Sequence, residues 1–108
     1  MKNNIKEIIN ILDQIIELLE WNGETYWLNT MNEAKRELLN SNLSGIETLL
    51  NLYGGMGSFT DLIIGHTIVN KQFMWKDGGE DKDKKLRILQ SEAFDLATKI
   101  KRNVKKGK

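Results

Sequence analysis

Neither cysteine nor proline occurs in these 108 residues, and histidine occurs once, as His66. The first absence excludes disulfides, thiol nucleophiles and thiolate metal sites together. The second leaves no turn or kink to be set by a pyrrolidine ring. With a single imidazole, neither a multi-histidine metal site nor a paired-histidine relay can be assembled. His66, next to Gly65 in an apolar run, reads as a structural or partly exposed residue rather than a general base. Long apolar runs are also missing: charges recur every few residues from the N-terminus onward, unlike a signal peptide or a membrane span. A cytoplasmic protein is the expectation.

The composition that remains is that of a folded domain. The chain is 40% apolar and 29% charged, and its length suits one domain over residues 1–108. Its charge is unevenly placed. The last ten residues hold six lysines and arginines and no acid, and taking those six from a net charge of +1 leaves the first 98 residues at −5. Positive charge at a helix C-terminus is favoured by the macrodipole, and no aromatic is interleaved with it. The basic end, residues 103–108, therefore reads as a solvated, fraying tail rather than a nucleic-acid contact.

Periodicity predicts a mainly α fold, a small bundle of about four helices. With heptad position a at Ile5, the a, d, e and g places hold Ile5, Ile8, Ile9, Ile11, Leu12, Ile15, Ile16, Leu18 and Leu19. Such a face, on a helix from about Lys2 to Trp21, is wider than one neighbour covers. Ile11 and Leu18, on its g side, must meet a further helix of the same chain or a second subunit, and the intramolecular core is the preferred reading. Asn22-Gly23 supplies a stop. Trp27, Met31, Ala34 and Leu38 mark a second helix to about Asn40, and Ser44-Gly45-Ile46-Glu47 matches a capping box opening a third, which ends at Gly54 or Gly55. Leu86, Leu89, Ala93, Leu96, Ala97, Ile100 and Val104 form the stripe of a last helix. Between these, Leu62-Ile63-Ile64 and Thr67-Ile68-Val69 are rich in β-branched residues and separated by Gly65-His66. They predict a short β-hairpin after the glycine-rich loop, although Ser58-Phe59-Thr60-Asp61 could instead open a helical turn.

Gly54-Gly55-Met56-Gly57-Ser58 is the most unusual stretch. Three glycines in four residues mark a chain reversal at positive φ, a main chain approached closely by a ligand, or both. The ligand reading makes Gly55, Met56, Gly57, Ser58 and Asp61 an anion nest. The structural reading, preferred here, makes them a tight turn. No Gly-Lys-Ser/Thr ending is present, and Thr60 stands where the last glycine of a dinucleotide fingerprint would be.

Tyr53-Gly54-Gly55-Met56-Gly57-Ser58-Phe59-Thr60-Asp61-Leu62 resembles the Gly-Gly-Met-Gly-Ser-Phe-Asn-Asp-Leu signature of a family of small uncharacterised bacterial proteins, a domain of unknown function. Thr60 replaces the asparagine of that pattern. The resemblance implies a shared fold and loop and brings no reaction with it.

The remaining candidates are surfaces. Asp77, Glu80, Asp81 and Asp83 do not fall at the places of a calcium loop, and acids suit the start of a helix. Trp21, Tyr26 and Trp27 cluster near the first helix turn, and Phe73, Met74 and Trp75 precede the second loop. All six count first as core material. Ile88 and Phe94 lie off the stripe of the last helix and either cover the hairpin or join Trp21, Tyr26 and Trp27 in a partner surface. The functional expectation is a small cytosolic interaction protein without catalysis or cofactor, binding another protein through an acidic, aromatic-bearing surface. A toxin-neutralising or regulatory partner is one concrete form, and a monomer is favoured over a homodimer. The alternative is a small-ligand or nucleotide-binding module built on the anion nest.

Overall fold

The widest apolar face in the sequence becomes the centre of the molecule. The structure, a computed structural model, describes residues 2–54 and 58–106. Helix α1 (Lys2–Asn22) runs through the middle, with α2 (Thr25–Leu39) packed on one side and α4 (Gly79–Lys106) on the other. Its two neighbours account for the width of the stripe: Ile8, Leu12, Ile15 and Leu19 are fully buried, and Ile11 and Leu18 keep 7% and 6% of their surface. Both g-side residues are therefore covered within a single chain. A short α3 (Ser44–Leu50) bridges α2 and α4.

The helix ends follow local chemistry. At the end of α1, Gly23 adopts φ +73°, its N–H donates to the Glu20 carbonyl, and the Glu24 N–H donates to the Leu19 carbonyl. These two bonds form a Schellman motif. The end of α2 repeats it with a serine in place of glycine. Ser41 sits at φ +58°, with Ser41 and Asn42 N–H groups donating to Leu38 and Glu37. A serine there bears the steric cost of the left-handed region. Ser41→Gly is therefore expected to stabilise the fold by about 0.5–1 kcal/mol, read as a higher urea midpoint at unchanged slope, and an unchanged or lower midpoint would refute it. The capping box predicted at Ser44 does not form. The Ser44 hydroxyl makes no cap bond, and the Asn42 Oδ1 accepts the Ser44 N–H at 3.0 Å instead. Asn42 lies closer to the exposed amides because the helical turn already begins at Leu43.

The third helix also ends earlier than its apolar stripe suggested. Leu52 and Tyr53 donate back only three residues, and the Leu52 carbonyl then accepts the Phe59 N–H at 3.0 Å. That bond closes the neck of the loop holding Gly54, which has φ +96°. A positive φ among the loop glycines is thus present at its first residue. Gly55, Met56 and Gly57 lie outside the described residues.

Beyond the loop, both predicted alternatives occur in succession. Phe59–Asp61 is one turn of 3-10 helix, and a hairpin follows. The hairpin is displaced from the predicted runs. Its strands are β1 (His66–Val69) and β2 (Gln72–Trp75), paired antiparallel with His66 opposite Trp75 and Val69 opposite Gln72. Asn70 and Lys71, at φ +50° and +66°, make the reversal, a pair of left-handed residues that matches the right-handed twist of the flanking strands. Leu62-Ile63-Ile64 is not a strand: the Leu62 N–H closes the 3-10 turn on the Phe59 carbonyl, and the Ile64 N–H donates to the Asp83 carboxylate of α4. The basic tail, expected to fray from residue 103, continues α4 to Lys106, with Val104 packed on the core. Gly107 and Lys108 lie outside the described residues.

Candidate interaction surface

The segment after the glycine loop is irregular yet closely held. Its main-chain groups are met one after another by side chains. The Gln90 amide donates to the Phe59 carbonyl at 3.0 Å and Arg87 donates to the Thr60 carbonyl at 2.6 Å. The Asp83 carboxylate accepts the Ile64 N–H at 3.0 Å and the Asn22 Oδ1 accepts the Gly65 N–H at 2.9 Å. Buried main-chain groups must be paired somewhere, and here α1 and α4 supply what a sheet would otherwise provide. This gives Asp83, part of the acidic run, an inward structural duty. Among the described residues no three His, Asp or Glu side chains gather as metal ligands would.

A second constraint lies beneath the hairpin. Gly65, at φ +78°, and Gly79, the first residue of α4, approach main chain to main chain, so that a Cβ built on Gly65 would lie 2.5 Å from the Gly79 Cα. The hairpin thus leaves and re-enters the bundle through one narrow waist, and the Lys76 N–H donates to the Gly65 carbonyl at 2.8 Å to close it.

The predicted site residues separate into several places. Of the proposed anion nest, Ser58 and Asp61 fall within the described residues. The Ser58 and Thr60 hydroxyls share a hydrogen bond at 2.8 Å, and Asp61 closes the 3-10 turn. Tyr26, Trp27 and Phe94 are brought to one region by two residues that the sequence reading did not place there. Trp27 packs on Phe59 at 5.2 Å between ring centroids, Phe59 on Tyr53, and Tyr53 on Phe94 at 5.0 Å, with Tyr26 edge-on to Trp27. Burial, and secondarily the Asp95 carboxylate, push the Tyr53 phenol well above its ordinary pKa. It remains protonated and donates to the Gln90 carbonyl at 2.8 Å. Phe94 therefore covers the root of the glycine loop, not the hairpin. Trp21 stands apart, with the Lys82 ammonium 5.0 Å above its ring, and Ile88 is an isolated exposed residue on α4.

The largest departure from expectation is the hairpin itself. Its strands make their main contacts with one another. Every residue of β2 is exposed, so Phe73, Met74 and Trp75 are surface rather than core material. One face carries His66, Ile68, Phe73 and Trp75, where the imidazole stacks on Phe73 at 4.9 Å and Phe73 meets Trp75 edge-on. The other carries Thr67, Val69, Gln72 and Met74. The signal was legible in Gln72-Phe73-Met74-Trp75, whose apolar residues occupy both parities of a strand, and a two-stranded ribbon has no second layer to bury both faces.

Residues 20–69 match the model of a domain of unknown function (DUF6966). The match covers 50 of the 108 residues and supports a likeness to an uncharacterised-domain family. The matched stretch runs from the end of α1 through β1, so it includes Asn22, the 3-10 turn and Gly65. No curated protein and no solved structure matches the chain.

Proposed function

We propose that this chain is a non-catalytic cytoplasmic interaction protein that binds other protein through its hairpin. The observation that carries this reading is the exposure of Ile68, Val69, Phe73, Met74 and Trp75 on one small projecting element. Apolar side chains exposed on both faces of one small element are uncommon on a monomer and mark contact sites. Aromatic side chains there are the usual anchors of binding energy, and an open strand edge adds main-chain hydrogen bonds to a partner. The surface is thus the hairpin, in place of the acidic, aromatic-bearing face foreseen from Trp21, Tyr26, Trp27, Ile88 and Phe94. No helix in the described residues is long and apolar enough to cross a membrane.

A photo-crosslinking amino acid substituted for Phe73 in the full chain, expressed in its native cells, tests this. Adducts of discrete mass are expected at that position and not from the same probe at Leu39, which is exposed on α2 away from the hairpin. No adduct at position 73, or equal labelling at both, would sink the proposal.

A further inference from the structure

The bonding phase of the hairpin decides which main-chain groups remain open. The Lys76 N–H bonds the Gly65 carbonyl, and Val69 opposite Gln72 closes a two-residue turn. Bonded and non-bonded pairs alternate along an antiparallel ladder, so Gln72, Met74 and Lys76 direct their N–H and C=O groups toward β1. Phe73 and Trp75 direct theirs outward. The free edge of β2 therefore offers two bonding residues, two apart and on the same face.

That arrangement is complementary to itself. We propose that two copies of this chain pair edge to edge along β2, antiparallel, about a two-fold axis through Met74. This rests on the reading of the hairpin as the interaction surface. In that register Phe73 of each copy forms a hydrogen-bonded pair with Trp75 of the other, giving four main-chain bonds and a four-stranded sheet. The aromatic faces of both hairpins become one continuous layer, and Met74 lies beside Met74 of the second copy on the opposite face. A shift by one residue would turn the aromatic face of one copy against the other face of its mate, so the side-chain pattern selects the register.

Charge and exposure favour the same partner. Neither strand contains a charged residue, so the paired edges hold no repulsion and nothing for a charged stranger to recognise. Extending the register past each strand end brings Lys71 toward Asp77 of the second copy, twice by symmetry. The edge of β1 is less available, because His66 and Thr67 are partly buried while all of β2 is exposed. Isolated two-stranded ribbons are marginal in water, and four strands are not. An isologous two-fold contact also closes on itself, which satisfies the edge without propagating a fibre.

Met74 is the position at which each residue meets its own copy, and this makes the proposal testable in the full chain. Light scattering and sedimentation are expected to show a concentration-dependent dimer. Met74→Lys and Met74→Glu should each remain folded by circular dichroism and raise the dimer dissociation constant about tenfold or more, and an equimolar mixture of the two should dimerise again. Because the chain has no cysteine, Met74→Cys should also form a disulfide-linked dimer under mild oxidation much faster than Ile88→Cys. A native chain that stays monomeric at all concentrations would overturn the proposal, as would a dimer that the charged variants leave intact. If the chain is monomeric while the probe at position 73 still captures a different protein, the edge pairing falls and the interaction function stands. If the probe captures nothing and the chain is monomeric, both fall.

Discussion

Glutamate at both Ile11 and Leu18 is expected to leave a chain with no cooperative thermal transition. These two side chains are buried in one copy of the protein, on the flank of α1 that faces α4. An unpaired carboxylate at such a place costs several kcal/mol through lost hydration, and the apolar contacts of the original side chain are lost as well. Two such changes approach the whole stability of a domain this size, roughly 5–15 kcal/mol. Single variants should each lower the denaturation midpoint measurably. A double variant that keeps native helicity and a cooperative transition would show that this flank is surface. The distinction bears on assembly, because the edge pairing proposed for β2 leaves this flank untouched. Ile11→Glu/Leu18→Glu should therefore destroy the fold, whereas Met74→Lys should destroy only the contact between copies.

Alanine at Gly79 is the second change with a large expected effect, about 3 kcal/mol or more. Its Cβ would overlap the Gly65 carbonyl oxygen, a main-chain atom that no rotamer change can move aside. Relief requires the hairpin waist to open, which strains the Gly65–Asn22 and Ile64–Asp83 bonds together. Gly65→Ala meets the same obstruction from the other side and adds a left-handed backbone that a Cβ disfavours. Gly78 provides an internal control, since it is next to Gly79, has φ +74° and faces open space. Gly78→Ala should cost only the backbone term, about 1–2 kcal/mol. Urea midpoints that place the Gly79 and Gly78 variants together would remove the close approach as the explanation.

Much of the helical architecture was open to reading from residue order. Helix α1 announced itself because its apolar positions from Ile5 to Leu19 follow a 3.6-residue period, and its width required two neighbours, which α2 and α4 provide. Asn22-Gly23 stopped it where expected, since a glycine takes the left-handed conformation at little steric cost. Less of the candidate surface was legible. Phe73, Met74 and Trp75 have the composition of a core, and composition carries no information on whether a second layer exists to cover them. Tyr53 and Phe59, which join Trp27 to Phe94, lie 26 and 32 residues from Trp27 in the chain and meet it only through packing.

The sequence by itself determined that this is a mainly helical fold built around α1, without thiol chemistry and with a left-handed glycine at Gly54, because helix period, end signals and missing residue types act locally. Tertiary structure alone decided where the hairpin begins. Leu62-Ile63-Ile64 has the β-branched character of a strand, but Asp83, Asn22, Arg87 and Gln90 supply bonding partners to the segment from Phe59 to Gly65. Pairing was thereby deferred to His66–Val69 and Gln72–Trp75, beyond the Gly65–Gly79 waist, where the strands pair with each other. Those bonds join residues 19 to 43 positions apart, or 27 and 31 for the two from Arg87 and Gln90. A hydrogen bond across such a separation exists only once the helices have packed, which is why no local pattern in the chain could have announced it.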